Sequence, residues 1–225
     1  DHRSSNPSGE DLIALGVQAR RAGLLSNTPG LVTMHMGSGK GKLDPLFYAL
    51  ENSDIPVKNF LPTHMLRTDE LIDEGAKLVR MGGFMDCTAG SDDNELELHT
   101  DKLFELLNRD GVTADHVTLS SDAFGSQPKF DAAGECIGLT YASPKYLHKT
   151  IQGLVKRGMA LEEALKLLTS TPATVLAKDG VKGCVAVGAD ADLLVLDANL
   201  EITDLFAKGK TAVLNGEAVL KGRFE

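Results

Sequence analysis

The feature that most constrains this chain is a recurring unit: a short apolar run, a polar or glycine-rich loop, then a helix-length stretch with one apolar face. Runs at 31–35, 60–64, 83–87 and 116–120 alternate with helical patterns over 8–25, 42–52, 69–81 and 97–108. The third helical pattern carries Leu71, Ile72, Ala76, Leu78 and Val79 on one side, the spacing of a helix that buries one stripe. Ser8 stands where an N-cap is expected. Intervals of roughly 25 to 33 residues between strand starts are those of strand–helix units in a parallel sheet. Four such units make half of an eight-stranded, TIM-like (β/α)8 barrel, or most of an open doubly wound sheet. Two further helices are expected over 145–157 and 161–176, the second punctuated by Thr171-Pro172-Ala173.

Near Gly180 the pattern changes. Glycines now separate short apolar runs at 193–196, 202–206, 212–214 and 218–220. These read as antiparallel strands, and Asn215-Gly216 is a two-residue hairpin signal. The chain is therefore divided into residues 1–179, an α/β unit, and 180–225, part of a small β-subdomain.

The totals exclude several function classes. A net charge of −9 argues against a nucleic-acid partner or an anionic membrane surface. No apolar run approaches the roughly 20 residues of a membrane span. The three cysteines, Cys87, Cys136 and Cys184, are odd in number and lack CxxC spacing, which points to free thiols in a reducing cytoplasm. The first residues, Asp1-His2-Arg3-Ser4-Ser5-Asn6-Pro7, offer no initiating Met and no signal peptide before a helix start. The stretch is expected to be the C-terminal part of a longer protein.

Three residues share one placement. His35, His64 and Asp122 each close an apolar run and precede a polar or glycine-rich loop. In a parallel barrel all strand C-termini open on one face, where sites form. Two imidazoles and a carboxylate suit zinc, which lowers the pKa of bound water to about 7, and a carboxylate beside it can move protons. One such His is more often a hydrogen-bonded structural residue, and Asp122 alone could cap a turn. His99 and His148, in helical stretches, and His2 and His116, beside loops, read as ordinary surface. Beside a metal, Arg3 and Arg67 would suit a substrate with two carboxylates, because a guanidinium binds each through two parallel hydrogen bonds; taken singly, each reads better as a solvated surface residue. Gly37-Ser38-Gly39-Lys40-Gly41-Lys42 lacks the spacing of a phosphate loop. No Gly-x-Ser-x-Gly elbow presents Ser120 or Ser121 as a nucleophile.

Taken together, "DHRS" at 1–4, "HMG" at 35–37, "LPTHMLR" at 61–67, "VTLSSDAFGSQP" at 117–128 and "GADADLLVLD" at 188–197 resemble the isoaspartyl dipeptidases of the amidohydrolase superfamily. The resemblance implies the C-terminal half of a (β/α)8 metal-dependent hydrolase barrel plus part of a small β-sandwich. It implies hydrolysis of β-aspartyl dipeptides at a two-zinc centre bridged by a carboxylated lysine, in a cytoplasmic homo-oligomer. Carried over, His35 and His64 would bind the second metal. Asp122 would bind the first and act as general base and acid. Arg67 would hold the α-carboxylate of the aspartyl residue, and Arg3 and Ser126 the carboxylate of the leaving residue. The chain departs from that family in having no His-x-His pair and no bridging lysine, so alone it is expected to lack the two-metal site and be inactive. Alternatives are another amidohydrolase, dihydroorotase-like or D-aminoacylase-like, or a non-catalytic scaffold of the same fold.

Overall fold

The computed structural model describes residues 6–131, 133 and 135–222, with the backbone alone for residues 126–128 and 130. The chain divides into two compact units, residues 1–177 and 178–225. None of the described helices is long and apolar enough to cross a membrane.

In the first unit, helix α1 (Gly9–Ser26) begins at a capping box. The Ser8 hydroxyl accepts from the Asp11 N–H at 3.2 Å, and the Asp11 carboxylate accepts from the Ser8 N–H at 2.9 Å. Strand β1 (Val32–His35), helix α2 (Asp44–Glu51), strand β2 (Phe60–Thr63), helix α3 (Asp69–Arg80), strand β3 (Met85–Thr88), helix α4 (Asp93–Leu107) and strand β4 (Val117–Ser120) follow in strict alternation. Strands β1 and β2 pair in parallel with His35 opposite Thr63. Strands β3 and β4 pair in parallel with Thr88 opposite Ser120. The two pairs meet just beyond β2, where the Met65 N–H donates to the Asp86 carbonyl at 3.3 Å. Phe60, Met85 and Val117, at the starts of β2, β3 and β4, are fully buried. They share one apolar cluster with Leu71 and Leu78 of α3 and Leu103 and Leu106 of α4. That burial holds the starts of the strands, so their opposite ends converge in a fixed arrangement.

Two features depart from the sequence expectation. Strands β5 (Ser126–Phe130) and β6 (Cys136–Tyr141) pair as an antiparallel hairpin in a stretch for which the sequence pattern indicated no strand. Every residue of β6 is exposed, so no alternation of burial marks it. Helix α5 (Lys145–Lys156) is as expected, but the stretch 161–176 breaks into α6 (Leu161–Lys166) and α7 (Ser170–Val175). Pro172 has no N–H to donate and crowds the carbonyl four residues back, so it fits only the first turn of a new helix. The break is used: the Leu167 carbonyl accepts from the Leu119 N–H of β4 at 3.0 Å.

The second unit is one antiparallel sheet, in the order β10-β9-β8-β7. Its strands are β7 (Leu193–Leu196), β8 (Ile202–Ala207), β9 (Lys210–Leu214) and β10 (Glu217–Ala218). Asn215 and Gly216 turn between β9 and β10 with φ of 51° and 80°, the left-handed pair that a type I′ hairpin needs. Lys208-Gly209 turns between β8 and β9 in the same way, at 48° and 74°. The acids of the Gly-Ala-Asp-Ala-Asp motif are structural here: Asp190 and Asp192 both pair with Lys182.

Candidate active site

His35 ends β1, and His64 follows β2 directly. Asp122 comes two residues after β4. All three line one cavity of about 310 Å³, with Thr33, Leu61, Thr63, Asp86 and Ser120. His64 and Asp122 are in the left-handed region, with φ of 64° and 47°. Asp and His adopt that conformation more readily than most residues, and it recurs at functional sites as well as in turns. Leaving the extended conformation turns both side chains out of the strand alternation and into the opening at the strand ends.

Nδ1 of His35 lies 3.0 Å from Nε2 of His64, with the rings tilted by 53°. Two nitrogens about 2.0 Å from one tetrahedral zinc stand about 3.3 Å apart, so this facing pair fits two ligands of a shared ion. The other nitrogen of His64, Nδ1, lies 2.7 Å from the Thr88 hydroxyl, the kind of partner that orients a metal-binding imidazole. Among the described residues no three His, Cys, Asp or Glu side chains gather closely enough to hold a metal ion. Asp122 shares the cavity with the pair without joining it as a third ligand. Gly125 keeps space for that carboxylate: a Cβ there would stand 3.1 Å from Asp122 Oδ1.

The cavity is lined by one acid that sequence reasoning passed over. Asp86 is 6% exposed and accepts three hydroxyl hydrogen bonds: from Thr63 (2.5 Å), Thr118 (2.6 Å) and Ser120 (2.6 Å). Burial lifts its carboxyl above the usual range, and the three hydroxyls and His35 pull against that lift without cancelling it. These bonds cross-tie β2, β3 and β4 one residue before His64 and two before Asp122. The signal was present in the sequence, since an acid inside the apolar run 83–87 has to be hydrogen-bonded if the run is buried. Ser120, whose hydroxyl serves Asp86, is thereby accounted for as a structural donor.

Arg67 is exposed on the loop between β2 and α3 and does not line the cavity. Arg3 lies outside the described residues, and of Ser126 only the backbone is described. His99 and His116 are not ordinary surface: both are half-buried and bonded. Nδ1 of His99 donates to the Thr88 carbonyl at 2.9 Å, and Nδ1 of His116 to the Gly83 carbonyl at 2.8 Å. The Gly37–Lys42 loop leads into α2 with the Leu43 N–H given to Glu74 at 2.7 Å, a carboxylate where a phosphate loop would hold an anion.

The amidohydrolase family profile matches residues 46–219, most of the 225-residue chain. The chain belongs to the amidohydrolase family. Among solved structures, this amidohydrolase chain is similar to the beta-aspartyl dipeptidase of the thermophilic keratin-degrading Fervidobacterium islandicum AW-1 in complex with beta-Asp-Leu dipeptide. Identity is 35% and the TM-score 0.88, over 99% of this chain and 58% of that one. A second structure of beta-aspartyl dipeptidase from the same organism matches with 30% identity and a TM-score of 0.83, over 99% of this chain and 56% of that one. An amidohydrolase from Thermotoga maritima MSB8 shares the fold, with 18% identity and a TM-score of 0.53, over 82% of this chain and 44% of that one. This amidohydrolase chain thus spans somewhat over half the length of the Fervidobacterium enzyme.

Proposed function

We propose that this chain contributes one side of the active site of a zinc-dependent dipeptidase that hydrolyses the β-aspartyl peptide bond. The observation that carries the reading is the meeting of His35 Nδ1 and His64 Nε2 at 3.0 Å, in the cavity that Asp122 lines. The likeness to an enzyme crystallised with beta-Asp-Leu supports the choice of substrate.

His35 and His64 would hold one zinc ion, and Asp122 would be the carboxylate ligand of a second. The metal centre would supply Lewis acidity toward the scissile carbonyl and acidify the attacking water. Asp122 takes the proton of that water as its oxygen bonds to the carbonyl carbon, then gives it to the departing amine as the C–N bond breaks. Arg67, on the loop after His64, would have to turn toward the cavity to hold the α-carboxylate of the aspartyl residue. Arg3 and Ser126 hold the carboxylate of the leaving residue. The chain contains no His-x-His pair, so the remaining metal donors come from outside these residues. The sheet offers a place for them. Among the described residues β1 pairs with β2 alone, and a groove of about 810 Å³ runs beside β1 between Leu12, Leu15 and Leu46. A further parallel strand there would continue the sheet toward an eight-stranded barrel.

The test is kinetic. The complete protein, loaded with zinc, should turn over β-Asp-Leu far faster than dihydroorotate or N-acyl amino acids. Preference for either of the other substrates would move it to a different branch of the family. No turnover of any of them, in a protein without bound zinc, would make it a scaffold.

A further inference from the structure

We infer that Thr88, at the end of β3, is the positioning residue that aims the His64 ring. His64 lies beyond the last paired residue of β2 and on left-handed backbone. The strand ladder therefore does not set its side-chain direction, and the direction depends on what the ring touches. His64 is 8% exposed, and its Nδ1 meets the Thr88 hydroxyl at 2.7 Å. The backbone that carries that hydroxyl is fixed on the β4 side and from α4. Thr88 pairs with Ser120 in the β3–β4 register, the Ala89 N–H donates to the Ser120 carbonyl at 2.8 Å, and the Thr88 carbonyl accepts from His99 at 2.9 Å. With Nδ1 tied to Thr88, Nε2 is the nitrogen left facing His35 and the cavity. A hydroxyl both donates and accepts. Thr88 therefore serves His64 in either neutral tautomer: as donor when Nε2 carries the proton toward His35, and as acceptor when Nε2 presents its lone pair.

This inference rests on the reading of His64 as a ligand, and the experiment separates the two. In the complete protein, Thr88→Val keeps the shape and removes the hydroxyl, whereas Thr88→Ser keeps the hydroxyl. After metal stripping, zinc affinity is measured by chelator competition. The His64 ring nitrogens are followed by ¹⁵N NMR in the metal-free state. Thr88→Val should weaken zinc binding about 10- to 100-fold, the usual consequence of removing a ligand's hydrogen-bond partner, and shift the His64 ring signals. Thr88→Ser should match the wild type in both. If Thr88→Val does not fold, Thr88→Ala against Thr88→Ser makes the same comparison. Wild-type zinc affinity in Thr88→Val, or Thr88→Ser as weak as Thr88→Val, would overturn the inference. A wild-type protein that binds no zinc would overturn the metal reading instead. The ring signals alone would then decide whether Thr88 holds His64, and unchanged signals in Thr88→Val would overturn it.

Discussion

Strands β1 and β3 have the same length and both run into the same cavity, yet they do opposite work. In β3 all four residues are buried, and each of its polar side chains is spent on a neighbour. Asp86 ties three hydroxyls, and Thr88 meets His64. In β1 the residues alternate between half-buried and exposed, and one edge has no strand partner among the described residues. It delivers His35 from that looser frame. The difference separates two ways of making a site: one strand presents a group, and another fixes the groups that its neighbours present. Polar atoms buried in β3 carry the full cost of a lost partner, while those on β1 can turn to water.

The largest expected effect lies outside both strands and sharpens the contrast. Asp122→Asn in the complete protein should lower kcat for β-Asp-Leu by about 10²- to 10⁴-fold, the scale of a lost general acid–base group. The thermal midpoint should stay near wild type, because Asp122 shares the cavity edge rather than the core. Within the strands, Met85→Ala in fully buried β3 should cost about 2–5 kcal/mol in urea unfolding. Asp86→Asn should cost about 1–3 kcal/mol. An amide has one accepting atom in place of two, so at least one of Thr63, Thr118 and Ser120 must reverse its hydroxyl. Thr33→Val on exposed β1 should stay within about 0.5 kcal/mol of wild type. A cost at Thr33 equal to that at Asp86 would break the comparison. The smallest effect is on pH dependence. Burial holds the His99 imidazole below its ordinary value, so the unfolded chain binds that proton first as pH falls. Its contribution to stability is full above about pH 6.5 and declines as pH drops from there toward the lowered folded value. His99→Gln should flatten that slope in unfolding curves measured between neutral and mildly acidic pH.

The alternation of β1–β4 with α1–α4 was readable because short apolar runs recur at regular intervals between helix-length stretches, of which α3 carries the clearest apolar face. Asn215-Gly216 was readable because its turn type demands that dipeptide. That His35, His64 and Asp122 would come together at one cavity was readable because each closes an apolar run, in three of the four units. The scaffold around them was not. Asp86 and Thr88 looked like ordinary members of a strand, and what distinguishes them is a set of partners 23 to 34 residues away. Sequence periodicity does not register such long-range satisfaction. The β5–β6 hairpin escaped for another reason: β6 is exposed throughout and lacks the alternation by which a half-buried strand is recognised.

The proposed activity depends on His35 and His64 holding one metal ion between them. Zinc content after equilibrium dialysis of the complete protein, wild type against His35→Ala/His64→Ala, tests it most directly. The double variant should stay folded and lose one of two zinc ions, together with β-Asp-Leu turnover. A folded double variant that keeps the full wild-type zinc content would contradict it.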